Sequence, residues 1–207
     1  MASAIHSLHT LVPPVIHRDI KPDNICIDDD GALVFVDFGA SRQCEDGTTC
    51  RTDVGTEQYM APEVRQGRNY NRTSEVFSLG AVFAELFTTM SGYDVRTGLH
   101  AVLRNQPFSN CVPRTLKWLK KIKPTDGSLD AHLDLIAKMF ETKPLDRPAL
   151  WEVHRDLLRL QSVFASEFAC CAGELSFEDD NVSDLSTPPS EDLDDIVAYA
   201  RRLSFRE

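Results

Sequence analysis

The sequence predicts a mainly α lobe that carries one short β-hairpin and is followed by a disordered acidic tail. Three observations predict it. Two β-rich runs, ICI at 25–27 and ALVFV at 32–36, lie close together near the N-terminus. Beyond them, the apolar residues up to about 161 fall in segments of helical length and spacing. From residue 166 the chain turns acidic, with eleven Asp or Glu against three Arg. The expected division is therefore a lobe at 1–165 and a tail at 166–207.

Taken in order, Ala2 to Thr10 read as the end of a helix that the Pro13-Pro14 pair closes, because proline has no amide hydrogen and its ring clashes with the preceding turn. VIHRDIKPDN at 15–24 reads as a loop. The two β runs are joined by Asp28-Asp29-Asp30-Gly31, where Asp side chains bond local backbone and Gly accepts positive φ. A long polar loop follows from Gly39 to Thr56, and Pro62 is placed to open a short helix. TSEVFSLGAVFAELFT at 73–88 is apolar on most sides, which suits a helix at the centre of the lobe. Further helices are expected at about 95–105, 128–141 and 148–161, the last opening at Pro148. In the tail, SFEDDNVSDLSTPPSEDLDD at 176–195 has too little apolar surface to offset the entropy of ordering. DDIVAYARRLSF at 194–205 has an amphipathic pattern but is too short to form a stable helix unaided.

A hydrophobic content of 42% excludes global disorder. Of the formal charge of -10, -8 lies in the tail, which leaves the lobe close to neutral. Neither nucleic acid nor an anionic membrane is an expected partner, since both call for a basic face. The six cysteines form no CxxC pair and no zinc-ligand spacing, so reduced thiols are expected. The N-terminus lacks a basic n-region and a long apolar core, and no run reaches membrane-spanning length. An intracellular location, cytoplasmic or nuclear, follows as the expectation.

Chemistry concentrates around the hairpin. Asn24 immediately precedes it and Asp37 immediately follows it. Antiparallel pairing brings those two residues to the same end. Two hard oxygen donors suit Mg²⁺, which keeps waters and takes phosphate oxygens. Asp19, five residues upstream, is then near the metal and available to a nucleophile. This arrangement fits phosphoryl transfer, in which positioning and charge neutralisation do most of the work.

HRDIKPDN at 17–24, DFG at 37–39, GTEQYMAPE at 55–63, SEVFSLG at 74–80 and DRP at 146–148 occur in one order. Together they resemble the eukaryotic-type serine/threonine protein kinase family over roughly residues 4–160. The resemblance implies that Asp19 is the catalytic base and that Lys21 steadies the γ-phosphate of ATP. It implies that Asn24 and Asp37 hold Mg²⁺, and that Cys26 lies on the floor of the adenine site. Lys21 and Thr56 match the serine/threonine branch, with Thr56 in the loop that receives the protein substrate. Glu63 and Arg147 are implied to form a buried structural ion pair. Arg18 resembles the kinases activated by phosphorylation, which makes Thr52 the candidate acceptor for an upstream kinase.

The sequence also departs from the pattern. Sixteen residues precede His17, and they hold no Gly and no Lys, so neither a Gly-rich loop nor a strand lysine is expected there. The expectation is a C-terminal lobe without its N-terminal lobe, whose stand-alone activity is in doubt. Glu75 replaces the aspartate that anchors the catalytic loop, and the extra methylene is expected to misplace that anchor. Phe77 replaces a tryptophan. The family's Pro-Phe signal does not follow the central helix directly, where SGYDVRTG stands at 91–98, and the Pro-Phe pair before Pro113 comes only at 107–108, so the substrate-facing helix has no assigned place. The alternatives are a catalytically silent kinase lobe that binds proteins and, more remotely, a small-molecule phosphotransferase. In the tail, Ser204 in RRLS and Thr187 before Pro188 are weaker candidates for modification, and Cys44 and Cys50 bracket a loop segment.

Overall fold

The computed structural model describes residues 1–29, 31–43, 54–68 and 70–168. Thr52, Cys44, Cys50, Thr187, Ser204 and residues 169–207 lie outside the described residues. Helix α1 (Ala2–Thr10) buries Ala2, Ile5, Leu8 and His9 on one stripe and leans on the C-terminal helix α7 (Leu150–Phe168). It ends where Leu11 turns extended, just before the proline pair.

Strand β1 (Val15–Ile16) pairs antiparallel with β4 (Arg42–Gln43), in the register Val15 to Gln43 and Ile16 to Arg42. This pairing falls inside stretches expected to be loop, and two residues are too few for a readable alternation. Its effect is to bring His17 beside Ser41, whose hydroxyl donates to the His17 carbonyl at 3.1 Å. Between them lies the expected hairpin of β2 (Ile25–Ile27) and β3 (Leu33–Phe35). Asp28 makes the turn as its composition suggested: its carbonyl accepts from Gly31 at 3.0 Å and its carboxylate from Ala32 at 2.8 Å.

A short helix α2 (Pro62–Arg65) opens at its proline, as expected. The central helix α3 (Arg72–Met90) begins with a reciprocal cap between Asn71 and Ser74 and buries fourteen residues from Ser74 to Thr88. Gly80 lets it run close to α6 (Asp130–Met139), because a Cβ there would lie 3.0 Å from Met139 Cβ. The segment at 95–105 forms one π turn, Val95–His100, that continues into α4 (Ala101–Leu103).

Helix α5 (Phe108–Ile122) was not expected. Its signature is present, since Phe108, Cys111, Thr115, Leu119 and Ile122 form a buried stripe at helical spacing. Pro113 lies within it, although a proline in a helix interior ordinarily breaks the helix. The chain accommodates it by kinking at Cys111, whose ψ is 15°, so that Pro113 stands in the first turn of the longer piece. The core joins α1, α3, α5, α6 and the start of α7 in one cluster, with Phe77, Phe108 and Phe140 at its centre.

Candidate active site

The loop from His17 to Asn24 is positioned from below. His17 is fully buried, with its ring 5.7 Å from that of Phe35 and 4.9 Å from that of Phe38. Arg18 has a φ of 69°, a left-handed conformation that costs a non-glycine residue free energy and must be held by its surroundings. Glu75, completely buried on α3, does the holding: its Oε1 accepts the Arg18 amide at 2.7 Å. The expected misplacement of this anchor does not occur. The longer side chain reaches the loop, and its second oxygen, Oε2, lies 2.6 Å from Nε2 of His9 on α1. Phe77, in the place of a tryptophan, is fully buried edge-on to Phe140. The Arg18 side chain donates through Nε to the Ala40 carbonyl at 2.5 Å.

Above this floor, four of the sequence candidates form one network. Asp19 Oδ1 accepts the Thr56 amide at 2.7 Å. Its Oδ2 accepts from Asn24 Nδ2 at 3.0 Å and from Lys21 Nζ at 2.8 Å. Lys21 also donates to the Thr56 hydroxyl at 2.9 Å, and Asn24 donates to the Asp19 carbonyl at 2.8 Å. Burial pushes the Asp19 carboxyl up, but hydrogen bonds from Lys21 and Thr56 outweigh it and hold the group below the ordinary aspartate value. The Asp19 hydrogen bond in turn raises Lys21, against a smaller effect of burial. Gly55 makes the approach of Thr56 possible. Its φ is +109°, and a Cβ there would lie 2.5 Å from the Arg18 carbonyl oxygen.

Asp37 is not drawn into this network. It is exposed, has a φ of 61° and accepts from the Gly39 amide at 3.3 Å. Its place is nevertheless the one expected, because the Val36 amide bonds the Asn24 carbonyl at 2.9 Å and extends the hairpin by one rung. Asn24 Nδ2 is directed at Asp19, so the amide oxygen is the atom left for a cation. An amide oxygen and a carboxylate at one end of a hairpin fit Mg²⁺, which takes few protein ligands and fills its octahedron with water and phosphate oxygens. Among the described residues no group of three or more His, Cys, Asp or Glu forms an all-protein cage. Cys26, opposite Val34 on the hairpin, is exposed.

Glu63 and Arg147 meet as a buried bidentate pair, at 2.7 and 2.8 Å. Ser74 donates to Glu63, while Arg147 also donates to the carbonyls of Glu141 and Thr73 and covers the Phe77 ring at 5.2 Å. Burial raises Glu63, and the hydrogen bonds and charge of Arg147 more than reverse it, leaving its carboxyl below the ordinary value.

Sequence reasoning missed the role of a third buried carboxylate, Glu85. Glu85 accepts from the Tyr59 hydroxyl at 2.9 Å and lies 2.8 Å from His100 Nε2. Burial and the nearby Glu85 charge push the Tyr59 phenol well up. An acid inside the apolar run LGAVFAELF was the available signal, since a buried carboxylate needs partners.

Comparison with known proteins finds relatives over most of the described chain. A family model described as protein kinase domain matches residues 1–158. A protein of Acanthamoeba polyphaga mimivirus named as a serine/threonine-protein kinase/receptor is 34% identical over 167 residues, 79% of this chain and 9% of its own length. One of Saccharomyces cerevisiae named as a serine/threonine-protein kinase is 33% identical over 157 residues, 72% of this chain and 15% of its own. The serine/threonine-protein kinase fray1 of Dictyostelium discoideum is 36% identical over 138 residues, 64% of this chain and 22% of its own. The chain thus spans less than a quarter of the length of each.

Proposed function

The chain belongs to the eukaryotic-type protein kinase family, and from that premise we propose that it carries the catalytic residues of a serine/threonine kinase. In this reading the γ-phosphate of ATP passes to a Ser or Thr hydroxyl of a protein. The observation that supports it most is the Asp19 carboxylate, held by Thr56 on one oxygen and by Lys21 and Asn24 on the other.

Thr56 belongs to the segment that would receive the substrate, so its contact with Asp19 sets the substrate hydroxyl beside the group that orients it. As the hydroxyl oxygen bonds to phosphorus and the bond to the β–γ bridging oxygen breaks, Asp19 takes the hydroxyl proton. Lys21 steadies the oxygens of the transferring phosphoryl group. Asn24 and Asp37 would hold Mg²⁺, which supplies neutralisation of the phosphate charge when bound. Cys26 and its neighbours on the hairpin would face the adenine. Thr52, beside Arg51, is the proposed acceptor for an activating kinase.

The test is phosphate transfer from labelled Mg²⁺-ATP to a mixed protein substrate, beside a thermal shift with nucleotide. Asp19→Asn should lower transfer at least about 100-fold, the usual worth of a positioned base, while the fold persists. No thermal shift at millimolar nucleotide, together with no transfer by the native chain, would overturn the reading for this polypeptide and favour a silent binding lobe.

A further inference from the structure

Helix α5 turns its buried stripe inward and leaves Arg114, Lys117, Lys120 and Lys121 exposed on the opposite side. The helix contains no Asp or Glu. Three of these cations stand three or four residues from the next, a spacing at which like charges repel. Among the described residues no ion pair joins any of the four, whereas the neighbouring Lys123 is bonded to Asp130. A core helix therefore presents an uncompensated basic face.

Its complement lies in the same chain. Residues 174–195 hold nine Asp or Glu and no Lys, Arg or His. Of the net charge of -10, -9 belongs to that run, so the remainder of the chain is nearly neutral. Runs of like charge of this kind act as interaction segments. We propose that the acidic segment 174–195 docks intramolecularly on the basic face of α5.

Reach does not prevent it. The segment begins six residues beyond Phe168, and its 22 residues extend to roughly 75 Å at most. Helix α5 is about 22 Å long, and a lobe of this size has a radius of gyration of about 15 Å. Tethering presents the segment at an effective concentration on the order of a millimolar, which a separate acidic partner must exceed.

The docked segment would lie beside the side from which a protein substrate approaches. Arg65, in the stretch following Thr56, donates to Asn110 at 2.7 Å and Ser109 at 3.3 Å in the first turn of α5. That consequence alone rests on the kinase reading; the docking stands or falls independently of it.

Zero-length carbodiimide cross-linking of the purified full chain, read by mass spectrometry of the monomer, tests the proposal. At low salt, Lys117, Lys120 and Lys121 should form amides with Asp or Glu of 174–195. The yield should fall at least about five-fold at 1 M NaCl, where the screening length is near 3 Å. The triple variant K117E/K120E/K121E should abolish the lobe-to-tail links. A second variant, E191Q/D192N/D194N/D195N, leaves every lysine in place and should also reduce them. Links spread equally to Lys138 and Lys143, links found only in dimers, or no links to α5 would each overturn the proposal.

Discussion

Glu75 on the central helix and His9 on α1 share a buried contact of 2.6 Å, and the other Glu75 oxygen holds the Arg18 amide at 2.7 Å. One carboxylate thus ties α1, α3 and the loop carrying Asp19 together. Deleting either partner leaves a buried polar group unsatisfied, at a cost of about 1–3 kcal/mol. His9→Ala and Glu75→Asp should each destabilise by that order in urea unfolding. Because the shorter acid cannot span both contacts, the double variant should cost clearly less than the two single losses added. Additive costs would show that the two residues act separately.

Arg147 and Glu63 should be more sensitive still. Arg147→Ala leaves the Glu63 carboxylate buried and removes the donors that Thr73 and Glu141 accept. Loss of one partner of a buried pair costs about 3–5 kcal/mol, so the melting temperature should fall by roughly 10 °C or more. Glu63→Gln also leaves a buried charge without its counter-charge, but the glutamine carbonyl can still accept from Arg147, which keeps its bonds to the Thr73 and Glu141 carbonyls, so this variant should cost less.

The same pair sets a pH dependence. Glu63 has a folded value below its ordinary one, although burial works against this, because Arg147 favours the charged form. Its stabilising contribution is therefore complete above the ordinary glutamate value, near 4.3, and is lost as pH falls through the lower folded value. Asp19 behaves in the same sense, with Lys21 and Thr56 as the causes. Stability followed by denaturant titration should decline below about pH 4, and Glu63→Gln should flatten that decline.

Gly55→Ala isolates the placement of Thr56. A methyl group at φ +109° would meet the Arg18 carbonyl oxygen at 2.5 Å, against backbone that cannot swing away. The variant should lose about 1–3 kcal/mol of stability from local strain. On the proposed chemistry, kcat should fall more than KM changes, because Thr56 is displaced from Asp19.

The ordered motifs named Asp19, Lys21, Asn24 and Thr56, which the structure brings into one hydrogen-bonded network, but the direct contacts of Thr56 with Asp19 and Lys21 had no trace in the sequence. The hairpin was plain, because Asp28 and Gly31 carry turn chemistry and the strands on either side of them are apolar. Helix α5 went unplaced because the expected Pro-Phe signal does not follow α3 directly, and its Pro113 is tolerated because a kink places it in a first turn. The pairing of β1 with β4 spans two residues on each side and leaves no periodic trace. His9 reads as one more residue of a buried helical stripe, and only the third dimension supplies its partner 66 positions away. The reach of Glu75 was misjudged for the same reason.

The seating of α3 has a consequence for water. Most of its length, from Ser74 to Thr88, is buried with Leu86 as the exception, and Gly80 lets it lie close against α6. An amide near Leu79 or Ala81 can trade its proton for solvent deuterium only when the surrounding helices separate together. Those few amides are therefore a clock for the opening of the lobe as a unit, keeping time independently of any catalysis.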